Sequence, residues 1–441
     1  MRLTSPRLFL AACGLAVATL VAGCSTPSDD VASTPEQTTS AEPGTPSAAA
    51  EPADDPPGDA STTWGPAESE VARARQLVAD WSPERLAGQV IVGRYLGTDP
   101  AEAASLVEDL HLAGLCVTSA NVTDEAQVRA TTQAVSDAVA ADGRDFPAVV
   151  GVDEEGGSVA HLRGIATTFP AFQVAGTAVE RDRAQGGRAG RRAVRAAARA
   201  SGLELRELGF TWVFAPVADV TIGSADPTIG TRSAGTDPRT AATATASAVR
   251  GYDAAGIVST AKHFPGHGSA TADSHLVMPR LTKSMAQLRG HDLLPFETAI
   301  RAGAPAIMLS HLDVEALAPG VPASLAPEVY GFLRDEMGFQ GVTITDSMGM
   351  GAVATRELPG VTALRAGADL LLMPADTRGA HATVTRAVAD GTIARERIED
   401  AAATVVALQL WQQRVAQERP VPDDAARRAE RASAALSDAA Y

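Results

Sequence analysis

Short apolar runs, rich in β-branched residues, recur eight times along this chain, at 89–95, 114–118, 148–152, 212–217, 257–262, 306–310, 342–345 and 369–373, with sequence of helical character between them. Alternation of this kind predicts a parallel sheet, because successive parallel strands must be joined by a crossover and a helix is the usual one. Eight such strands suggest closure into a (β/α)8 barrel, and the roughly 375 residues beyond the N-terminal segment are within the range of one barrel with additions. Gly114, Gly256, Gly303, Gly341 and Gly367 stand at or just before the start of a run, where they would end the preceding helix. An open doubly wound sheet is the alternative architecture. No G-x-G-x-x-G fingerprint follows the first run, so dinucleotide binding is not expected.

The polar residues cluster against this framework. Asp153, Asp219, Lys262 with His263, Ser310 with His311, and Asp346 each lie at or just past the C-terminal end of a run. That rim is where α/β barrels build their sites. The densest stretch is Lys262-His263-Phe264-Pro265-Gly266-His267-Gly268, followed by Asp273-Ser274-His275. His263 and His267 have the spacing of helical zinc ligands, but Pro265 and Gly266 between them oppose a helix, and no metal is expected. The glycines instead predict a loop after strand five that carries Asp273 and His275 toward a pocket. A carboxylate two residues before a histidine can orient the imidazole and support its charged form.

With 37 Lys and Arg against 53 Asp and Glu, the net charge is −16, which excludes a basic nucleic-acid footprint. Of three cysteines, Cys116 reads as a small core residue in strand two, and the set matches neither a disulfide framework nor a metal ribbon. Arg2 and Arg7 precede an apolar stretch, residues 8–21, that is too short to span a membrane but is of signal-peptide length. It ends in Val21-Ala22-Gly23-Cys24, which resembles the bacterial lipobox, where the Cys is diacylated after cleavage. Residues 1–23 are therefore expected to be a signal peptide, Cys24 a lipid anchor, and 24–66, rich in Pro, Ser, Thr and Ala, a disordered tether. An ordinary cleavable signal is the alternative. Residues 67–395 are expected to form the barrel and 396–441 helices packing on or beside it.

The loop, together with Gly341-Val342-Thr343-Ile344-Thr345-Asp346-Ser347-Met348, Val152-Asp153-Glu154-Glu155-Gly156-Gly157 and Ile229-Gly230-Thr231-Arg232-Ser233, resembles the β-N-acetylhexosaminidases of glycoside hydrolase family 3 over residues 76–395. The resemblance implies Asp346 as nucleophile, His275 as general acid/base with Asp273 as its partner, and Asp153, Arg232, Lys262 and His263 as sugar-binding residues. The chain departs from the family where arginines commonly follow the paired glycines: Ser158 and His161 stand there, with Arg163 the nearest guanidinium, and Ser347 replaces a frequent second Asp. Retaining glycosidases need a carboxylate nucleophile and a proton carrier, and a histidine, with an unperturbed pKa of about 6.5, can serve both proton steps near neutrality. No cofactor is implied.

The expected activity is hydrolysis of terminal β-linked N-acetylglucosamine from peptidoglycan fragments, by a monomer lipid-anchored on the outer face of the bacterial cytoplasmic membrane. A β-glucosidase is disfavoured because those of the family typically carry a second α/β domain supplying the acid, for which the helical C-terminal stretch offers no room. A phosphorylase, in which phosphate replaces water, stays open. The reading from a different class is a lipoprotein that captures amino sugars without turnover; Asp273, His275 and Asp346 are what binding alone would not need.

Overall fold

The computed structural model describes residues 60–441. Eight parallel strands, β1 (Ile91–Gly93), β2 (Gly114–Val117), β3 (Val149–Val152), β4 (Trp212–Val213), β5 (Val258–Phe264), β6 (Ala306–Leu309), β7 (Val342–Thr345) and β8 (Leu371–Leu372), form one sheet in which β1 to β7 pair each with the next. The ring is closed by β8 on β1, with Ile91 opposite Leu371, and by a bridge from Ile344 to Leu370. The expected (β/α)8 barrel is thus the observed architecture. The expected anchor Cys24, the expected signal peptide and the expected tether up to residue 59 lie outside the described residues.

Each βα unit is set by local chemistry. The helix Pro238–Ala255 starts where the Asp237 carboxylate accepts the Thr240 N–H and Pro238 takes the first turn, and it stops at Gly256, φ 72°. Gly114 serves differently from the expectation: it lies inside β2, where a Cβ would stand 1.9 Å from the Val149 carbonyl oxygen, so close strand approach requires its bare backbone. The strands are shorter than their apolar runs. Residues 212–217 yield only Trp212–Val213, with Val217 rejoining β5 by a single bridge to Lys262, because Pro216 has no N–H for the ladder. The core is filled by Trp212, Phe210, Phe214, Phe264 and Phe296, all fully buried, and the Trp212 indole donates to Thr260 Oγ1 at 2.6 Å.

The folded body begins before the boundary that composition suggested. Trp64, inside the segment expected to be tether, is buried, and Gly65 lies against the Trp411 ring of the helix Arg395–Glu418. One large aromatic in a polar stretch is enough to anchor it, and mean composition does not register a single residue. That helix also ties the barrel floor through Gln409, which receives the Gln89 amide at 2.7 Å and donates to the Pro147 carbonyl. The last helix, Ala425–Ala440, lies on Phe172–Gln185 and Ala189–Glu207. No helix among the described residues is long and apolar enough to cross a membrane.

Candidate active site

A cavity of about 710 Å³ opens at the C-terminal ends of the strands and is lined by Asp153, Arg232, Lys262, His263, His275 and Asp346, among others. Six of the seven residues singled out from sequence therefore meet in one place. The seventh, Asp273, stands behind His275 and does not line the cavity.

The floor is an ion cluster. After β3 the chain turns into a short antiparallel hairpin, Glu154–Gly156 with Val159–Ala160. Because side chains alternate along a strand, Asp153 and Glu155 share one face and Glu154 takes the other. Lys262, at the end of β5, pairs with both Asp153 and Glu155, the latter at 2.6 Å. Arg232 forks onto Glu155 through Nε and Nη2, both at 2.8 Å. Burial alone would raise the Glu155 pKa, but Lys262 and Arg232 outweigh it and hold the carboxyl well below the usual range. Burial likewise opposes the Lys262 charge, and Asp153 and Glu155 reverse it, so that its pKa lies above the ordinary value. Glu155 was not singled out from sequence. Its partners lie 77 and 107 positions downstream, and nothing local marks it.

Lys262 and His263 are consecutive, yet both reach the cavity, because the β5 register against β6 shifts between Lys262 and Phe264. His263 Nδ1 donates to the Asp219 carboxylate at 2.7 Å. The same fully buried carboxylate also accepts the backbone N–H groups of His263 and His267. Asp219 is thus a positioning residue; sequence reading noted it at a strand end but assigned it no part.

Asp346 follows β7 directly and is partly buried in the cavity wall. Burial opposes its ionisation, but His263, His311, the Ser347 N–H at 2.7 Å and Lys262 prevail, and its pKa is brought down to about 2. His311 Nε2 donates to the Ser347 carbonyl at 3.0 Å, and its Nδ1 shares a hydrogen bond of 2.7 Å with the Ser324 hydroxyl. Burial pushes its pKa below the ordinary histidine value, against the opposing pull of Asp346.

His275 rides on the loop after β5. Asp273 Oδ1 accepts both its backbone N–H, at 2.9 Å, and its Nδ1–H, at 2.7 Å, which leaves Nε2 for chemistry. The loop is moored at three points. His267 Nε2 meets Ser274 Oγ at 2.8 Å, the Gly351 N–H donates to the His275 carbonyl, and Ser269 at the loop's base is gripped by Asp292 and by Lys283, at 2.6 Å. His263 and His267 stand on a strand end and a 3₁₀ turn, not on one helix, as Pro265 and Gly266 led one to expect.

The arrangement supplies an ionised carboxylate, an imidazole backed by a carboxylate, and a polar floor. Comparison with known proteins gives it a context. The family model described as glycosyl hydrolase family 3 N terminal domain matches residues 75–408. Beta-hexosaminidase A of Pseudoalteromonas piscicida is 31% identical over 294 residues, covering 63% of this chain and 48% of that protein, so the chain spans about half the length of this relative. Beta-hexosaminidase LpqI of Mycobacterium tuberculosis is 34% identical over 303 residues, 66% of this chain and 72% of that one. A solved glycoside hydrolase family 3 beta-N-acetylglucosaminidase from Paenibacillus sp. superposes with a TM-score of 0.72 at 29% identity, covering 81% of this chain and 69% of that one.

Proposed function

Since the chain belongs to glycoside hydrolase family 3, we propose that it is a retaining β-N-acetylglucosaminidase that releases terminal β-linked N-acetylglucosamine from cell-wall fragments. The observation that carries this reading is the division of labour among the cavity's carboxylates. Asp153 and Glu155 are bound to Lys262 and Arg232, whereas among the described residues no Lys or Arg pairs with Asp346. It alone is ionised and uncommitted, which is what a nucleophile needs.

In the first half-reaction an Asp346 oxygen attacks the anomeric carbon while His275 gives its Nε2 proton to the departing glycosidic oxygen, leaving a glycosyl ester on Asp346. In the second, His275 takes a proton from water as the hydroxide attacks the same carbon and frees the carboxylate. Asp273 offsets the charge on the imidazole each time it is protonated. Lys262, His263 and Asp153 offer donors and acceptors to the sugar hydroxyls, and Arg232 holds Glu155 in place beneath them. The names of the relatives support N-acetylhexosaminides as the substrate class.

Release of a chromogenic phenol from its β-N-acetylglucosaminide, set against the β-glucoside, is the test. Turnover selective for the amino sugar is expected; binding of the sugar with no turnover of either would mean a capture protein. Sugar 1-phosphate appearing only with added phosphate would make it a phosphorylase. The proposal includes anchoring through a diacylated Cys24 on the outer face of the cytoplasmic membrane. Membrane fractions should contain the protein, and Cys24→Ala should release it or block processing; a wild type recovered wholly in the soluble fraction outside the cell would refute the anchor.

A further inference from the structure

Beyond the ion cluster, the wall of the cavity formed by the β3 hairpin ends in His161, to which nothing above gives a part. The ring lines the cavity and is only half-buried. Its Nδ1 receives two hydrogen bonds from Ser119, one from the backbone N–H at 3.2 Å and one from Oγ at 2.7 Å. A backbone amide can only donate, so Nδ1 carries no proton, and the neutral ring must bear its single proton on Nε2. Among the described residues nothing accepts from that Nε2–H. A donor fixed in direction, with its other nitrogen tied to the β2 loop and no acceptor of its own, stands at the edge of a sugar-sized cavity.

We propose that His161 is a specificity-determining residue that donates its Nε2–H to an oxygen of the terminal sugar, with Ser119 as the positioning residue that fixes the tautomer. This rests on the glycosidase reading of the same cavity. The contact needs a neutral ring. A proton on Nδ1 would face the Ser119 N–H, and the imidazole would have to leave its place. Burial works against the cation, as does Lys262 on β5, while Asp153 and Glu155 on the hairpin favour it; the balance lowers the pKa from the ordinary value. Arg163, exposed two residues further along the same loop, adds a cation, and the Ser119 turn contributes no ionisable side chain. Recognition through His161 is therefore intact at neutral pH and lost in acid, when the ring charges.

The test measures N-acetylglucosamine binding by calorimetry and aryl N-acetylglucosaminide kinetics, on wild type, His161→Leu and His161→Gln. Replacing one neutral donor should weaken binding and raise KM by about three- to tenfold, with kcat within about twofold. His161→Gln, which keeps an N–H, should recover most of the loss. Affinity of the wild type should fall on the acid side, a trend that His161→Leu should lack. A panel of monodeoxy sugars and of glucose locates the acceptor. Removing that one oxygen should cost wild type affinity and cost His161→Leu nothing, the coupling expected of a direct contact. Equal affinities of wild type and His161→Leu across the panel, in an enzyme that turns over the aryl substrate, would overturn this proposal and leave the glycosidase reading standing. A wild type that binds the sugar without turnover would remove the glycosidase reading, and the binding panel would still decide the role of His161.

Discussion

Two histidine–aspartate pairs in this molecule have the same geometry and opposite surroundings. His263 Nδ1 lies 2.7 Å from Asp219, with side-chain exposures of 7% and 0%; His275 Nδ1 lies 2.7 Å from Asp273, with exposures of 61% and 35%. The first pair is locked into the floor, with His263 lining the cavity and Asp219 beneath it accepting two backbone N–H groups as well. The second stands at the end of a loop with its free nitrogen toward the cavity. A proton carrier must trade protons with water in every cycle, and a residue that shapes the floor must not move. Burial, not the hydrogen bond itself, separates the two jobs.

The largest effect should come from the residue both halves serve. Asp346→Ala should lower turnover by several orders of magnitude, since no other described carboxylate in the cavity is free of a Lys or Arg pair. A slow fluorinated sugar should label Asp346 covalently in the wild type, and peptide mapping would read the position. Label on Asp153 or Glu155 would mean that the ion cluster opens during the reaction and that the contrast drawn here is wrong.

Next come the two pairs themselves. Asp219→Ala orphans the His263 Nδ1–H and two backbone donors in a dry interior, and should cost about 3–5 kcal/mol of stability, visible as an earlier denaturant midpoint, together with most of the activity. Asp273→Ala, at an exposed site, should leave the midpoint almost unchanged. If both variants lose stability alike, burial does not distinguish the pairs.

A smaller and more selective loss should follow His275→Ala. An activated phenol leaves with little protonation, whereas a sugar needs it fully, so the variant should slow a disaccharide by about 10²–10⁴ and formation of the glycosyl-enzyme from an aryl glycoside far less. Deglycosylation still needs the base, and a pre-steady-state burst should appear with the aryl substrate. Equal losses on both substrates and no burst would move the proton carrier elsewhere, to His267 or His311 first.

What the sequence disclosed follows the range of the forces involved. Strand runs are local, and so were legible, although Pro216 shortened one and the β5 register shift could not be foreseen. Asp273 and His275 form their pair across two residues and were legible for the same reason. Glu155 and Asp219 hold partners between 44 and 107 positions away, and their role exists only once the barrel has closed. The hairpin after β3 is two short strands around a Gly157-Ser158 turn, too brief for a periodicity to register. His161 stood out only as a departure from the family pattern, and its fixed tautomer depends on Ser119, 42 positions earlier.

The smallest expected effect concerns Glu154, the neighbour of Glu155 on the opposite face of that hairpin. Both carboxylates are buried, but Glu155 lies between two cations, while Glu154 has only the Leu162 N–H, at 3.1 Å, and the His161 N–H to accept. Burial therefore wins for Glu154, and its pKa rises from 4.5 to about 7. A carboxyl whose folded pKa exceeds its unfolded one binds a proton more readily in the folded state. Its stabilising contribution is thus complete below about pH 4.5 and is lost as pH rises through 7, with an upper bound of about 3 kcal/mol for a shift of this size. Glu154→Gln keeps the accepting oxygen and cannot ionise. Subtracting its stability from that of the wild type cancels the other titrating groups, and urea unfolding at closely spaced pH values should show the difference drifting against the wild type between pH 4.5 and 7 and flat on either side. Parallel stability curves would mean that Glu154 stays ionised in the folded protein, with water or a cation holding it as Lys262 and Arg232 hold Glu155.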